Sequence, residues 1–194
     1  MPRLAALLQQ ISLYVHLQQL DDDLAAEARR AGCECGGRLH SARYPRKPRG
    51  GPGEIGTGIM WRQSFCCERD GCRRRVTPPS VRFLGRKVFF GPVVVVLSAL
   101  RATVSAKRLH RLREMVGVSL RTLKRWASWW QSDFASSRFW RAAQGRLAPP
   151  APAATTLPGA LVARFDGDEE QQLISTLRFV APVTTATGRS SMAL

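Results

Sequence analysis

The chain has 194 residues, 44% of them apolar, and carries a formal net charge of +16. Its apolar share supports a folded core and excludes wholesale disorder, and its length fits one ordinary domain or two or three very small ones. So large a positive charge sets it apart from an ordinary soluble enzyme and calls for a polyanionic partner, nucleic acid first and an acidic membrane surface second.

The excess is not spread along the chain. Between Cys33 and Arg125 stand 21 Lys and Arg against 5 Asp and Glu, while the segments on either side are close to neutral. This is the pattern of a polyanion-binding module with neutral flanks.

Residues 1–32 read as two helices, "LAALLQQISLYVHLQQL" and "DDDLAAEARRAG", the second capped by Asp21 and ended by Gly32. The opening apolar stretch is broken by Gln9 and Gln10 and no small-residue cleavage site follows, so no secretory signal is expected. The longest apolar run, "VFFGPVVVVLSAL", has 13 residues, too few to span a bilayer. A cytoplasmic location is the corresponding expectation. In such a reducing compartment, cysteines hold metals more readily than they form disulfides.

Residues 33–90 carry all five cysteines, in "GCECGG" and "FCCERDGC" about thirty residues apart. Two clustered pairs suggest two knuckles around one zinc ion, because a structural zinc takes four ligands from tight turns. The best set is Cys33, Cys35, Cys67 and Cys72, with Cys66 or His40 as substitutes. The alternatives are buried thiols without metal, or a redox or nucleophilic role, which lacks a well-placed His or acid.

The segments "GRLHSARY" and "GIMWRQSF" have strand character and predict a two-hairpin zinc ribbon. Their connection, "PRKPRGGPGEIGTG", reads as an exposed loop. It presents Arg46, Lys47 and Arg49 to a phosphate backbone or a minor groove, or simply to solvent. Arg73, Arg74 and Arg75 leave the second knuckle as further candidate phosphate contacts.

Residues 91–147 predict a helical domain. Gly91-Pro92 opens a helix with Val93, Val96, Leu97 and Leu100 on one stripe, a buried strand being the rival. In "SAKRLHRLREMVGVSLRTLKRWASWW", Ser105 caps a helix from Ala106 to Val116 with Leu109, Leu112 and Val116 inside, and Gly117-Val118 makes a tight turn. Ser119 then caps a second helix with Leu120, Leu123, Ala127 and Trp130 inside. This is helix-turn-helix spacing, which places Arg121, Thr122, Lys124, Arg125 and Ser128 on a face suited to a major groove, with Lys107, Arg108 and Arg111 on the preceding helix. A protein-binding three-helix unit is the alternative. Trp126, Trp129, Trp130, Phe134, Phe139 and Trp140 read as core rather than as stacking platforms.

Residues 148–158, "LAPPAPAATTLP" in its wider setting, read as a stiff Pro/Ala linker. Residues 159–194 predict a short helix with acids in its first turn and a disordered tail, "VTTATGRSSMAL". The fold class is therefore mainly α with a small β zinc ribbon: a helical N-terminus, the two-hairpin ribbon, a helix-turn-helix bundle and a flexible C-terminal tail.

The pattern "FCC…GCRRRVTPPS" followed by "GVSLRTLKRW" resembles the N-terminal DNA-binding region of bacterial insertion-sequence transposases with a zinc ribbon, over about residues 33 to 130. The first knuckle departs from that family in being C-x-C rather than C-x-x-C. The resemblance implies recognition of transposon ends. Such transposases cut DNA with three carboxylates holding two metal ions on a larger α/β domain. Asp133, Asp166, Asp168, Glu169 and Glu170 lie here on short helical segments without strands to carry them. The expectation is a DNA-binding transposition protein with no catalytic residues and no small-molecule substrate, working on double-stranded DNA with a separately encoded transposase or recombinase. A sequence-specific transcriptional regulator and a metal-dependent nuclease are the alternatives.

Overall fold

A computed structural model describes residues 2–85, 87–147 and 150–185. The architecture is mainly helical, with two small antiparallel sheets inserted after the first long helix.

The chain opens with α1 (Pro2–Leu7) and α2 (Ile11–Ala31). The break falls at Gln9 and Gln10, not before Asp21, so the expected pair of helices over "ISLYVHLQQLDDDLAAEARRA" is one helix of 21 residues. Asp21 is therefore no cap. It shares the buried face of α2 with Leu13, Tyr14, Leu17 and Ala25, a helical spacing that puts an acid where an apolar residue would ordinarily sit. The helix stops at Gly32.

Five short strands follow: β1 (Leu39–Ser41), β2 (Tyr44–Pro45), β3 (Trp61–Arg62), β4 (Phe65–Cys67) and β5 (Arg75–Val76). One sheet has the order β1-β4-β5, with Leu39 opposite Cys67 and Cys66 opposite Arg75; β2 and β3 pair separately. Leu39, Phe65, Cys33 and Cys67 form a small apolar cluster with Ala25 of α2, apart from the main core. The connection between β2 and β3 is not the free loop its prolines and glycines suggest. The Arg49 N–H donates to the Val88 carbonyl at 2.9 Å and the Phe90 N–H to the Arg49 carbonyl at 3.1 Å, so the loop is tied to the segment leading into the next helix.

That helix is α3 (Gly91–Leu100), with Pro92 in its first turn. All ten of its residues are buried, so the expected stripe is in fact a whole cylinder. Burial on every side is what overrides the strand preference of four consecutive valines.

α4 (Ala106–Val116) has the bounds that the sequence predicts, and both it and α5 (Leu120–Trp129) have the predicted caps. The Ser105 hydroxyl accepts from the Arg108 N–H, and Ser119 accepts from the Thr122 N–H at 3.1 Å. Gly117, at φ 65°, is the left-handed stop between the helices, its N–H returning to the Arg113 and Glu114 carbonyls. Leu123, Ala127 and Trp130 are buried as expected, but Leu120 is 48% exposed. Trp126 takes a place on the inner face, edge-on to Phe89 at 5.2 Å.

A π-helical turn, Trp130–Phe134, leads to α6 (Arg138–Ala143). The aromatic cluster is core: Trp130 packs on Phe134 at 4.8 Å, and Phe134 on Trp140 at 5.3 Å. Within the Pro/Ala segment, Ala154–Thr156 form a 3-10 turn, Leu157 is buried, and Gln131 donates to the Thr155 carbonyl at 3.1 Å. Its described part lies on the helical body rather than extending from it.

α7 (Gly159–Val162) and α8 (Glu169–Val180) follow. Asp168 and Gln171 form a reciprocal capping box at the start of α8, which accounts for the acidic stretch there as a helix start. α8 packs on α3 and α1, and one apolar core runs from Leu4 to Val183. Of the expected tail, Val183 and Thr184 are buried, and residues 186–194 lie outside the described residues. No helix among the described residues is long and apolar enough to cross a membrane.

Candidate metal centre and cationic helix face

Two turns bring four sulfurs together. One follows α2, with Cys33 and Cys35; the other runs from the end of β4 to β5, with Cys67 and Cys72. The Sγ atoms of Cys35 and Cys67 are 3.5 Å apart, those of Cys33 and Cys72 3.7 Å, and all four lie within 4.8 Å of one another. An ion bound tetrahedrally through bonds of about 2.3 Å sets its sulfur corners about 3.8 Å apart, so the cluster has the size of a four-thiolate metal site.

The backbone is arranged around those sulfurs. Each of three thiols receives the N–H two residues further on: Cys35 from Gly37, Cys67 from Arg69 and Cys72 from Arg74. A Cβ on Gly37 would lie 2.6 Å from the Cys67 sulfur, so a side chain there would occupy the cradle. The short C-x-C spacing presents both sulfurs because the chain turns sharply at Gly36, whose N–H closes on the Cys33 carbonyl at 2.7 Å.

The protonation pattern follows from crowding. The Gly37 N–H, then the Cys67 and Cys72 thiols, pull Cys35 down to about 6. Against the Arg69 N–H, which pulls the other way, burial and the three other thiols push Cys67 up to about 12. The Cys35 proton thus leaves easily while those of Cys67 and Cys72 resist, because neighbouring thiolates repel one another until a cation offsets the charge.

The two substitutes lie outside the cluster. Neighbours on a strand point to opposite faces, and Cys66 accordingly turns away, its thiol 3.6 Å from the Arg73 carbonyl. His40 faces Glu68, with Nε2 to Oε2 at 3.2 Å. The Arg38 N–H and His40 hold the Glu68 carboxyl below its ordinary range.

The second feature is the outer face of α4 and α5. Arg121, Lys124, Arg125 and Ser128 are exposed on α5 and Thr122 is half-buried beside its cap; Lys107, Arg108 and Arg111 are exposed on α4. Elsewhere the predicted contacts divide. Lys47, Arg49 and Arg75 are exposed, Arg73 pairs with Asp70, and Arg74 with Glu34. Arg46 is half-buried and its head is engaged: its guanidinium donates to the Gly85 and Lys87 carbonyls and lies 5.4 Å over the Phe83 ring. It holds the loop down.

Two features have no sequence signal beyond an isolated charge. Asp21 and Arg82 form an ion pair buried on both sides. Lys87 lies 3.8 Å over the Trp129 ring, on the wall of a cavity of about 510 Å³ shared with Thr122, Arg125, Trp126 and Asp133. Burial lowers its ammonium from 10.5 to about 8, with Asp133 opposing the shift and Arg125 adding to it. Comparison with family models, curated proteins and solved structures yields no match for this chain.

Proposed function

We propose that the chain is a DNA-binding zinc-ribbon and helix-turn-helix protein of a mobile element, recognising transposon-end DNA without chemistry of its own. The observation that carries the reading is the division of α5. Leu123, Trp126 and Ala127 bury one side, and Arg121, Lys124 and Arg125 stand on the other, behind a tight capped turn. A helix so mounted fits a major groove, where arginine takes guanine edges with two hydrogen bonds and lysine and serine take phosphates. Arg108, Arg111 and Lys107 on α4 extend the cationic surface toward the backbone.

In this reading zinc occupies the four-cysteine cluster, for which a d¹⁰ ion with no redox chemistry and a preference for tetrahedral thiolates is the natural occupant. Four protein ligands leave it no open position, so its part is structural. It ties the turn after α2 to the β4–β5 turn and fixes Arg73, Arg74 and Arg75 beside them. The partner that cuts or joins DNA would be a separately encoded transposase or recombinase.

The test is binding of the full chain to labelled duplex DNA by fluorescence anisotropy across a salt series. Tight binding that weakens steeply with salt, with inverted-repeat ends of a neighbouring element preferred over random duplex, supports the reading. Failure to bind any duplex at low ionic strength overturns it. Preference for a palindromic operator would favour a transcriptional regulator, and magnesium-dependent nicking of supercoiled DNA, lost when Asp168, Glu169 and Glu170 are replaced, would favour a nuclease.

A further inference from the structure

Leu120 is the first residue of α5 and is 48% exposed. Its exposure follows from helical geometry. Positions 120, 121, 124, 125 and 128 share one face, and positions 123, 126 and 127 share the buried one. Leu120, Arg121, Lys124, Arg125 and Ser128 together line a shallow depression on that outer face.

An isolated surface leucine is ordinary. This one has three cations and a serine around it, on the helix assigned above to the major groove. Its backbone is also held without help from its side chain. Ser119 caps the helix start, its hydroxyl 3.1 Å from the Thr122 nitrogen, and Val118 is buried in the turn just before it.

The polyanion that such a cationic rim attracts displays one apolar group on its major-groove base edges, the 5-methyl of thymine. We propose that Leu120 is a specificity-determining residue that reads a thymine through this methyl, while Arg121, Lys124 and Arg125 engage the flanking base edges and phosphates. The proposal rests on the DNA-binding reading and adds to it a base identity. It also assigns a role to the residue that helical periodicity placed in the core.

The experiment begins with selection of binding sites from a random duplex pool by the full-length protein. Each thymine of the enriched site is then replaced singly by deoxyuridine, which removes the methyl and leaves every hydrogen-bonding group in place. At one position the wild-type protein should lose about four-fold in affinity, the value of one methyl left exposed to water. Leu120→Ala should lose a similar factor on the thymine site and be indifferent to deoxyuridine at that position. Near-ultraviolet circular dichroism checks that the variant keeps its aromatic core.

A site at which no thymine responds, or at which wild type and Leu120→Ala respond alike everywhere, overturns the proposal with DNA binding intact. So does an unenriched pool, which would mean contact with phosphates alone. Unchanged DNA affinity of Leu120→Ala would overturn it too and assign the leucine to a protein neighbour. Absence of binding to any duplex overturns instead the reading on which the proposal rests.

Discussion

The Asp21 carboxylate accepts the Arg82 Nε–H at 2.9 Å, with both side chains removed from solvent. Asp21 also takes the Ser80 hydroxyl at 2.6 Å and the Val81 N–H at 2.7 Å, and Arg82 reaches the Ile59 and Trp61 carbonyls. The pair therefore joins α2, the approach to β3 and the segment before α3. Removing one partner strands a buried charge, so Asp21→Ala or Arg82→Ala should cost about 3–5 kcal/mol. Urea unfolding checks this. An apolar double replacement, Asp21→Leu with Arg82→Met, should recover a large part of the loss, whereas equal loss in the double would mean that the carbonyls held by Arg82 matter more than its charge.

Cys66 and Cys67 are adjacent but should behave as opposites. Cys67→Ser should abolish stoichiometric metal and destabilise β1, β4 and β5, while Cys66→Ser should keep about one ion per chain. Metal content after gel filtration reads both. Gly37→Ala, which crowds the Cys67 sulfur, should weaken retention against a chelator without removing a ligand. Loss of metal from Cys66→Ser would contradict the arrangement of the sulfurs.

Side chains of equal charge should separate into three classes. Arg121→Ala and Arg125→Ala are expected to weaken a selected DNA site more than random duplex. Lys107→Ala and Arg108→Ala should weaken both alike and flatten the salt dependence by about 0.9 for each phosphate that is no longer neutralised. Arg46→Ala should lower thermal stability, since two carbonyls lose their donor, and leave DNA affinity per folded molecule unchanged.

Lys87 gives a pH signature. The unfolded chain holds this proton to its ordinary 10.5, and the folded chain releases it at about 8. The ionised amine thus opposes folding in full below about 8, ever less between 8 and 10.5, and not at all above. Its seat on Trp129 offsets part of that cost. Lys87→Met should therefore gain about 1–2 kcal/mol at pH 7, and the advantage should shrink as pH rises through that window. Denaturant curves at pH 7 and pH 10 measure the difference; a constant gap would mean that Lys87 is not titrating there.

Much of the helical order is legible in the sequence because it depends on local signals. Ser105, Gly117 and Ser119 mark α4 and α5 through caps and a turn whose physics needs no distant partner. The four-cysteine set is legible for a similar reason, since paired thiols at short spacing have few other uses. Features that depend on partners far along the chain are not. Asp21 reads as a helix cap because nothing nearby reveals Arg82, sixty-one residues on. The Pro- and Gly-rich loop reads as free because its anchors, Val88 and Phe90, lie some forty residues away. Leu120 falls inside by periodicity, which gives a face but not which residue sits at its edge, and as the first residue of α5 it lies at that edge, 48% exposed.

The buried N–H of Ser80 donates to the Thr184 hydroxyl at 2.9 Å, one residue from the Val81 amide that holds Asp21. The late part of the chain is thereby moored to the joint between the sheets and the helical bundle. A protein shortened at residue 158, where composition invites a cut, would lose α8 from its place against α1 and α3 along with this mooring. Deletion mapping from that end would then report collapse of the whole scaffold and could be mistaken for the removal of a binding surface.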